Sequence, residues 1–113
     1  DRFKGAHLAS FIAVFATPAM IGLMEYTASQ SVAPYLEEGQ STVGTLVNVK
    51  HLAATPVGLE VICESELTQV DRRRLVFNVK AYDEKGTLIG EGVHERFIID
   101  KDKFLKKAYS QLG

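Results

Sequence analysis

Thr17, Glu25 and His51 are the residues whose types and spacing could do chemistry in this 113-residue chain. Between them a hydroxyl, a carboxylate and an imidazole supply a nucleophile or orienting group, a base, and a proton carrier that titrates near neutral pH. Thr17 precedes Pro18, a pair that reads as a helix start, because threonine caps free backbone N–H groups and the fixed φ of proline suits the first helical position. Pro18, Ile21, Glu25, Ala28 and Val32 then recur at three- and four-residue steps, which sets an acid inside a largely apolar helix face. Burying even a neutral polar group without a hydrogen bond costs roughly 2–7 kcal/mol, so a carboxylate there needs a partner or a raised pKa. His51 stands at the end of a β-rich run. Taken singly, Thr17 is a plain cap, Glu25 an edge residue turned to water or paired with a base, and His51 a hydrogen-bonded structural histidine. Only the three together point to catalysis.

The elements that must position them follow from periodicity. After an irregular or extended lead-in through Phe15, a helix is expected from about Pro18 to Val32, with Pro34 marking a break or the first turn of a short second helix. Thr42 to Leu52 is β-rich through Val43, Leu46, Val47 and Val49, and Thr55-Pro56-Val57-Gly58 supplies a turn. Leu59 to Val70 and Arg74 to Tyr82 alternate with period two around a polar turn at Asp71 to Arg73. Asp83-Glu84-Lys85-Gly86 reads as a hairpin loop, and Gly90 and Gly92 in the last long strand, Thr87 to Asp100, suggest a bulge or a close backbone approach. Phe104, Leu105, Ala108, Tyr109 and Leu112 fall at helical spacing in the tail. One long helix followed by four sequential antiparallel strands makes a single α+β domain over residues 1–113. A lone helix cannot cover both faces of such a sheet, so the sheet is expected to wrap around it and to pair its free edge with a second copy of the chain.

Composition limits the function classes. Hydrophobic residues make up 46% and charged residues 24%, as in an ordinary globular domain. A net charge of −1 provides no basic surface for duplex binding, so nucleic acid is not expected as a partner. Arg2 and Lys4 followed by Leu8 to Ala16 imitate a secretory signal, but the apolar stretch continues into an amphipathic helix. It is also shorter than the ~20 apolar residues a membrane span needs, so folded core is the expectation and no membrane partner. The single cysteine, Cys63, cannot form an internal disulfide and fits a reducing, cytoplasmic compartment. It sits in strand-like sequence with no adjacent base, which reads as a buried hydrophobe rather than a nucleophile. His7 and His94 show no partner pattern and no metal-ligand cluster is visible. Arg72, Arg73 and Arg74 form the one dense basic run, suited to a solvated turn or to phosphate groups.

The wording Ala16-Thr17-Pro18-Ala19-Met20 through Met24-Glu25, followed by Val43-Gly44 and His51-Leu52-Ala53-Ala54-Thr55-Pro56-Val57-Gly58, resembles the fluoroacetyl-CoA thioesterase-like group of hotdog enzymes. The resemblance extends from about Phe11 to Ile99. It implies a hotdog fold in which the first strand is short or missing, and hydrolysis of a small or medium acyl-CoA. It implies a catalytic set of Thr17, Glu25 and His51, with Gly44 and Arg96 contacting the thioester substrate. It also implies a homodimer or a dimer of dimers, and no cofactor beyond the coenzyme A carried by the substrate. Aromatic residues form a lid over the site in the named member, and Phe11 and Phe15 lie nearby in sequence here. The resemblance leaves open whether Glu25 activates water or attacks the thioester, and whether Thr17 is a nucleophile or orients Glu25. A non-catalytic acyl-CoA-binding module is the rival reading.

Overall fold

Alternation of apolar and polar residues becomes an antiparallel sheet in the computed structural model, which describes residues 2–12, 17–54 and 60–112, with residues 9–12 described by their backbone. The strands are β1 (His7–Ile12), β2 (Gln40–His51), β3 (Val61–Asp71), β4 (Arg74–Asp83) and β5 (Leu88–Asp100), in the spatial order β1-β3-β4-β5-β2. Helix α1 (Thr17–Val32) links β1 to β2, the two edges of the sheet, so it must cross the sheet's concave face. A sheet curled around one long helix is the hotdog fold, as expected.

The inward positions of the alternation are buried: Val61, Cys63 and Ser65 on β3, and Leu75, Phe77, Val79 and Ala81 on β4, all at 0% exposure. Met20, Leu23, Met24, Thr27, Ala28, Ser31 and Val32 of α1 pack onto them. Each fully buried Val, Leu, Phe or Met side chain among them contributes on the order of 1.5–3 kcal/mol relative to exposure. Extra residues at Thr45 of β2, Thr68 of β3 and Ile89 of β5 interrupt the pairing, and such bulges bend a strand and increase its twist. Gly90 and Gly92 are sites of close approach: a Cβ at Gly90 would run into the Met20 sulfur, and one at Gly92 into the Asn48 carbonyl. The bulge itself falls beside them, at Ile89.

Two expectations change. The first strand is present, six residues long and paired with β3 from His7↔Glu66 to Ile12↔Val61, so the sheet has five strands rather than four. Its unalternating, apolar sequence hid it, because a run that short does not separate strand from helix by period. Glu25 flanks the buried stripe of α1 instead of lying within it, since Met20, Met24 and Thr27 set the packed face while Pro18 is exposed. The tail forms α2 (Lys101–Ser110), as its spacing suggested, with Phe104, Leu105 and Tyr109 exposed. Pro34 lies in a 3-10 turn, Ala33–Tyr35, consistent with a short helical turn. The Thr55–Gly58 turn and Phe15 lie outside the described residues. No helix among the described residues is long and apolar enough to cross a membrane.

Candidate active site

The first turn of α1 and the last residue of β2 meet at Thr17 and His51, where Thr17 Oγ1 lies 2.8 Å from His51 Nδ1. The helix start expected from Thr17-Pro18 is what presents the hydroxyl, and α1 runs antiparallel to β2, which brings the strand's end to it. The pair opens into a cleft of about 290 Å³ lined also by Leu52, Ala53 and Ala54.

Two turns further along α1, Glu25 reaches over Gly44 of β2. Its Oε2 is 3.2 Å from the point where a Cβ at position 44 would stand, and His94 Cε1 and Arg96 Nη1 lie 3.2 and 3.4 Å from that point. The absence of a side chain at Gly44 therefore makes the room in which a carboxylate, an imidazole and a guanidinium converge. The Glu25 carboxylate accepts no hydrogen bond and makes no ion pair among the described residues.

Arg96 is 8% exposed, and each of its nitrogens has a partner. Nε donates to Thr42 Oγ1 at 2.8 Å, Nη2 to the Thr42 carbonyl at 2.9 Å, and Nη1 to His94 Nε2 at 3.2 Å. A guanidinium only donates, so His94 Nε2 accepts, and the imidazole proton sits on Nδ1, which donates to the Leu46 carbonyl at 2.8 Å. Burial holds His94 below its usual pKa, with the Arg96 charge acting in the same direction; the Leu46 carbonyl, Glu25 and Glu95 oppose them. Burial also lowers Arg96 from its usual value, against the pull of Glu25, and the group remains a cation at neutral pH.

The five residues singled out from sequence thus fall into two groups. Thr17 meets His51, while Glu25 meets Gly44 and Arg96. Eight residues of helix separate Thr17 from Glu25, about 12 Å of rise, on sides of α1 that differ by about 80°. His94 was passed over for lack of a partner pattern, and the structure overturns that. Its parity with Gly90, Gly92, Arg96 and Ile98 was the available signal, because period two puts all five on the sheet's inner face.

Other features are inert or occupied. Cys63 is fully buried, and burial pushes its thiol up to about 11. Of the arginine run, Arg73 pairs with Asp100 at 3.3 Å and Arg74 with Glu95 at 2.7 Å, which leaves Arg72 alone facing solvent without an ion pair among the described residues. Roomier depressions lie beside Phe3 and Val70, and beside Arg72 and Phe97, but neither gathers a comparable set of chemical groups.

Residues 2–102 match the model of a family described as fluoroacetyl-CoA-specific thioesterase. The chain is 48% identical over 104 residues to the fluoroacetyl-CoA thioesterase of Streptantibioticus cattleyicolor, covering 92% of this chain and 74% of that one. It superposes on a variant of fluoroacetyl-CoA thioesterase solved in complex with acetyl-CoA, with a TM-score of 0.88 and 34% identity over 95% of this chain and 96% of the other. A thioesterase superfamily member from Thermus thermophilus gives a TM-score of 0.88 at 27% identity, over 94% of this chain and 89% of its own. Agreement in sequence across the helix and all five strands, and in the course of the backbone, leads to one assignment: this chain belongs to the fluoroacetyl-CoA-specific thioesterase family and is a thioester hydrolase.

Proposed function

We propose that the chain hydrolyses a small acyl-CoA thioester, with Glu25 supplying the carboxylate on which both available routes depend. The observation that carries this reading is the Glu25 carboxylate standing over Gly44, with no hydrogen-bond donor committed to it among the described residues, and sharing that space with the Arg96 guanidinium. In one route Glu25 takes a proton from water as the water oxygen bonds to the acyl carbon. The C–S bond then breaks and the CoA thiolate is protonated. In the other, a Glu25 oxygen bonds to the acyl carbon and expels the thiolate, and water then cleaves the mixed anhydride. Arg96 supplies donors for negative charge that develops on the thioester oxygen, and Gly44 lets the acyl group approach the backbone. Thr17 and His51, coupled at 2.8 Å, orient the thioester and pass a proton to the leaving group. Both routes proceed without a cofactor.

β2 is an edge strand twelve residues long with Leu46 and Val47 exposed, an edge that pairing with a second copy would cover. A homodimer is therefore part of the proposal, and a monomer mass by light scattering at micromolar concentration would count against it. The single cysteine supports a reducing, cytoplasmic setting.

The test is thiol release from a panel of acyl-CoAs, fluoroacetyl-CoA and acetyl-CoA included, by the wild type and by Glu25→Gln. Turnover of the short acyl-CoAs that falls by at least about a hundredfold in the variant is the expected result. Acyl-CoA binding without turnover by the wild type would favour a non-catalytic binding module. Label in the Glu25 carboxylate after a single turnover in ¹⁸O-water would establish the anhydride route with water attacking the glutamyl carbonyl.

A further inference from the structure

We propose that His94 is a positioning residue for Arg96, a neutral imidazole whose Nε2 lone pair fixes the guanidinium that faces Glu25 above Gly44. The proposal deepens the thioesterase reading and rests on it.

The chain of contacts begins at the β-bulge. Thr45 is the extra residue between the pairs Gly44↔Arg96 and Leu46↔Glu95, and just past it the Leu46 carbonyl accepts from His94 Nδ1 at 2.8 Å. The contact fixes which ring nitrogen carries the proton. The other nitrogen then faces Arg96 Nη1 at 3.2 Å as an acceptor. His94 is 1% exposed, and Phe77 stacks beside it at 6.2 Å between ring centroids, so the ring has little freedom to turn.

The recipient of that constraint is a residue of the site. Thr42 grips Nε and Nη2 from one side, and His94 grips Nη1 from the other, so the guanidinium is held at all three nitrogens. Nη1 is also the nitrogen that borders the space over Gly44. Its remaining N–H is a donor on the same space that the Glu25 carboxylate borders. Donors fixed before substrate arrives are worth more than mobile ones, and a displacement of about 1 Å can cost about a hundredfold in rate. The charged groups acting on the imidazole are Arg96, Glu25 and Glu95. Protonation of Nε2 would put an N–H against the Arg96 N–H and break the hold.

The test compares His94→Gln and His94→Phe with the wild type on the acyl-CoA the wild type turns over fastest, recording kcat and KM separately. Gln carries an amide oxygen that accepts from Arg96, whereas Phe keeps the ring and its stacking but accepts nothing. His94→Phe is expected to lose at least about tenfold in kcat, and His94→Gln to recover most of that loss. A folded His94→Phe protein with kcat within about threefold of wild type would overturn the proposal, as would equal losses in the two variants. A second readout needs neither a folded variant nor activity: ¹⁵N chemical shifts of the wild-type His94 ring. A neutral ring protonated at Nδ1 is expected at about pH 7.5, and a proton on Nε2 there overturns the proposal. Absence of wild-type turnover with every acyl-CoA is a failure of the thioesterase reading itself, and the ring shifts then still decide the geometry on which His94's role depends.

Discussion

Glu25 and Gly44 share one space: Glu25 Oε2 lies 3.2 Å from where the first side-chain carbon would stand at position 44. Gly44→Ala would therefore press on the carboxylate, the His94 ring edge at 3.2 Å and Arg96 Nη1 at 3.4 Å. The carboxylate is the end of a flexible side chain and gives way by a few tenths of an ångström, whereas Arg96 and His94 are held. The fold is expected to survive, while kcat/KM falls about tenfold, equivalent to about 1.4 kcal/mol of barrier. Steady-state kinetics beside a thermal melt measure both, and an unchanged kcat/KM would mean that the space over Gly44 does not set the position of Glu25.

The contact between Thr17 and His51 separates chemistry from capping. Thr17→Ser keeps the hydroxyl within reach of His51 Nδ1; Thr17→Val keeps the shape and removes it. Because Thr17 is exposed, losing this hydrogen bond should cost at most about 1 kcal/mol of stability. The rate should respond far more, with the Val variant down about a hundredfold and the Ser variant within about tenfold of wild type. Equal rates for Val and wild type would reduce Thr17 to a helix-start residue.

The sequence made the helix legible through Thr17-Pro18 and the three-to-four-residue spacing, and β3 and β4 through strict alternation ending in fully buried Leu75, Phe77, Val79 and Ala81. It concealed β1, whose run is short and unalternating, and it misplaced Glu25 by one helix position relative to the packed stripe. A helical period read from five residues does not say which of two adjacent stripes the sheet will choose. Met20 decides it here by seating against Gly90, a contact between residues far apart in the chain. His94 was hidden for the same reason: its partners are Leu46 and Arg96, and only the bulge at Thr45 and the register of β2 against β5 bring that carbonyl to the ring. The family resemblance supplied Gly44 and Arg96, which spacing alone would not have marked.

Ser65 is a polar group in the apolar core, at 0% exposure on β3, and its hydroxyl has no hydrogen-bond partner among the described residues. Burying it unpaired costs about 1–3 kcal/mol. Ser65→Ala removes the hydroxyl and leaves a residue that fits the same strand face, so it should be neutral or stabilising by up to about 2 kcal/mol in urea denaturation, with kinetics unchanged. Destabilisation by more than about 1 kcal/mol would show that the hydroxyl is satisfied within the core.

His94 makes stability depend on pH with a definite sign. Its pKa in the folded protein lies below the ordinary 6.5, because burial disfavours the imidazolium and Arg96 adds to that. As pH falls below the unfolded value, the unfolded chain takes up a proton that the folded chain does not. Stability therefore falls with decreasing pH across the interval down to the folded pKa and is flat in this term above about pH 6.5. Glu95 acts in a lower window. Its carboxyl is held below the usual 4.5 by the hydrogen bond and charge of Arg74, so its contribution is present above that value and is lost as pH falls through the lower folded pKa. Urea midpoints taken between about pH 5 and 7.5 lie above the Glu95 window, and comparison with His94→Gln separates His94 from the other two histidines. The wild-type midpoint should fall toward pH 5, and His94→Gln, which has no titrating group at that position, should show a shallower fall than wild type. Parallel slopes for the two proteins would mean that His94 titrates alike in the folded and unfolded states.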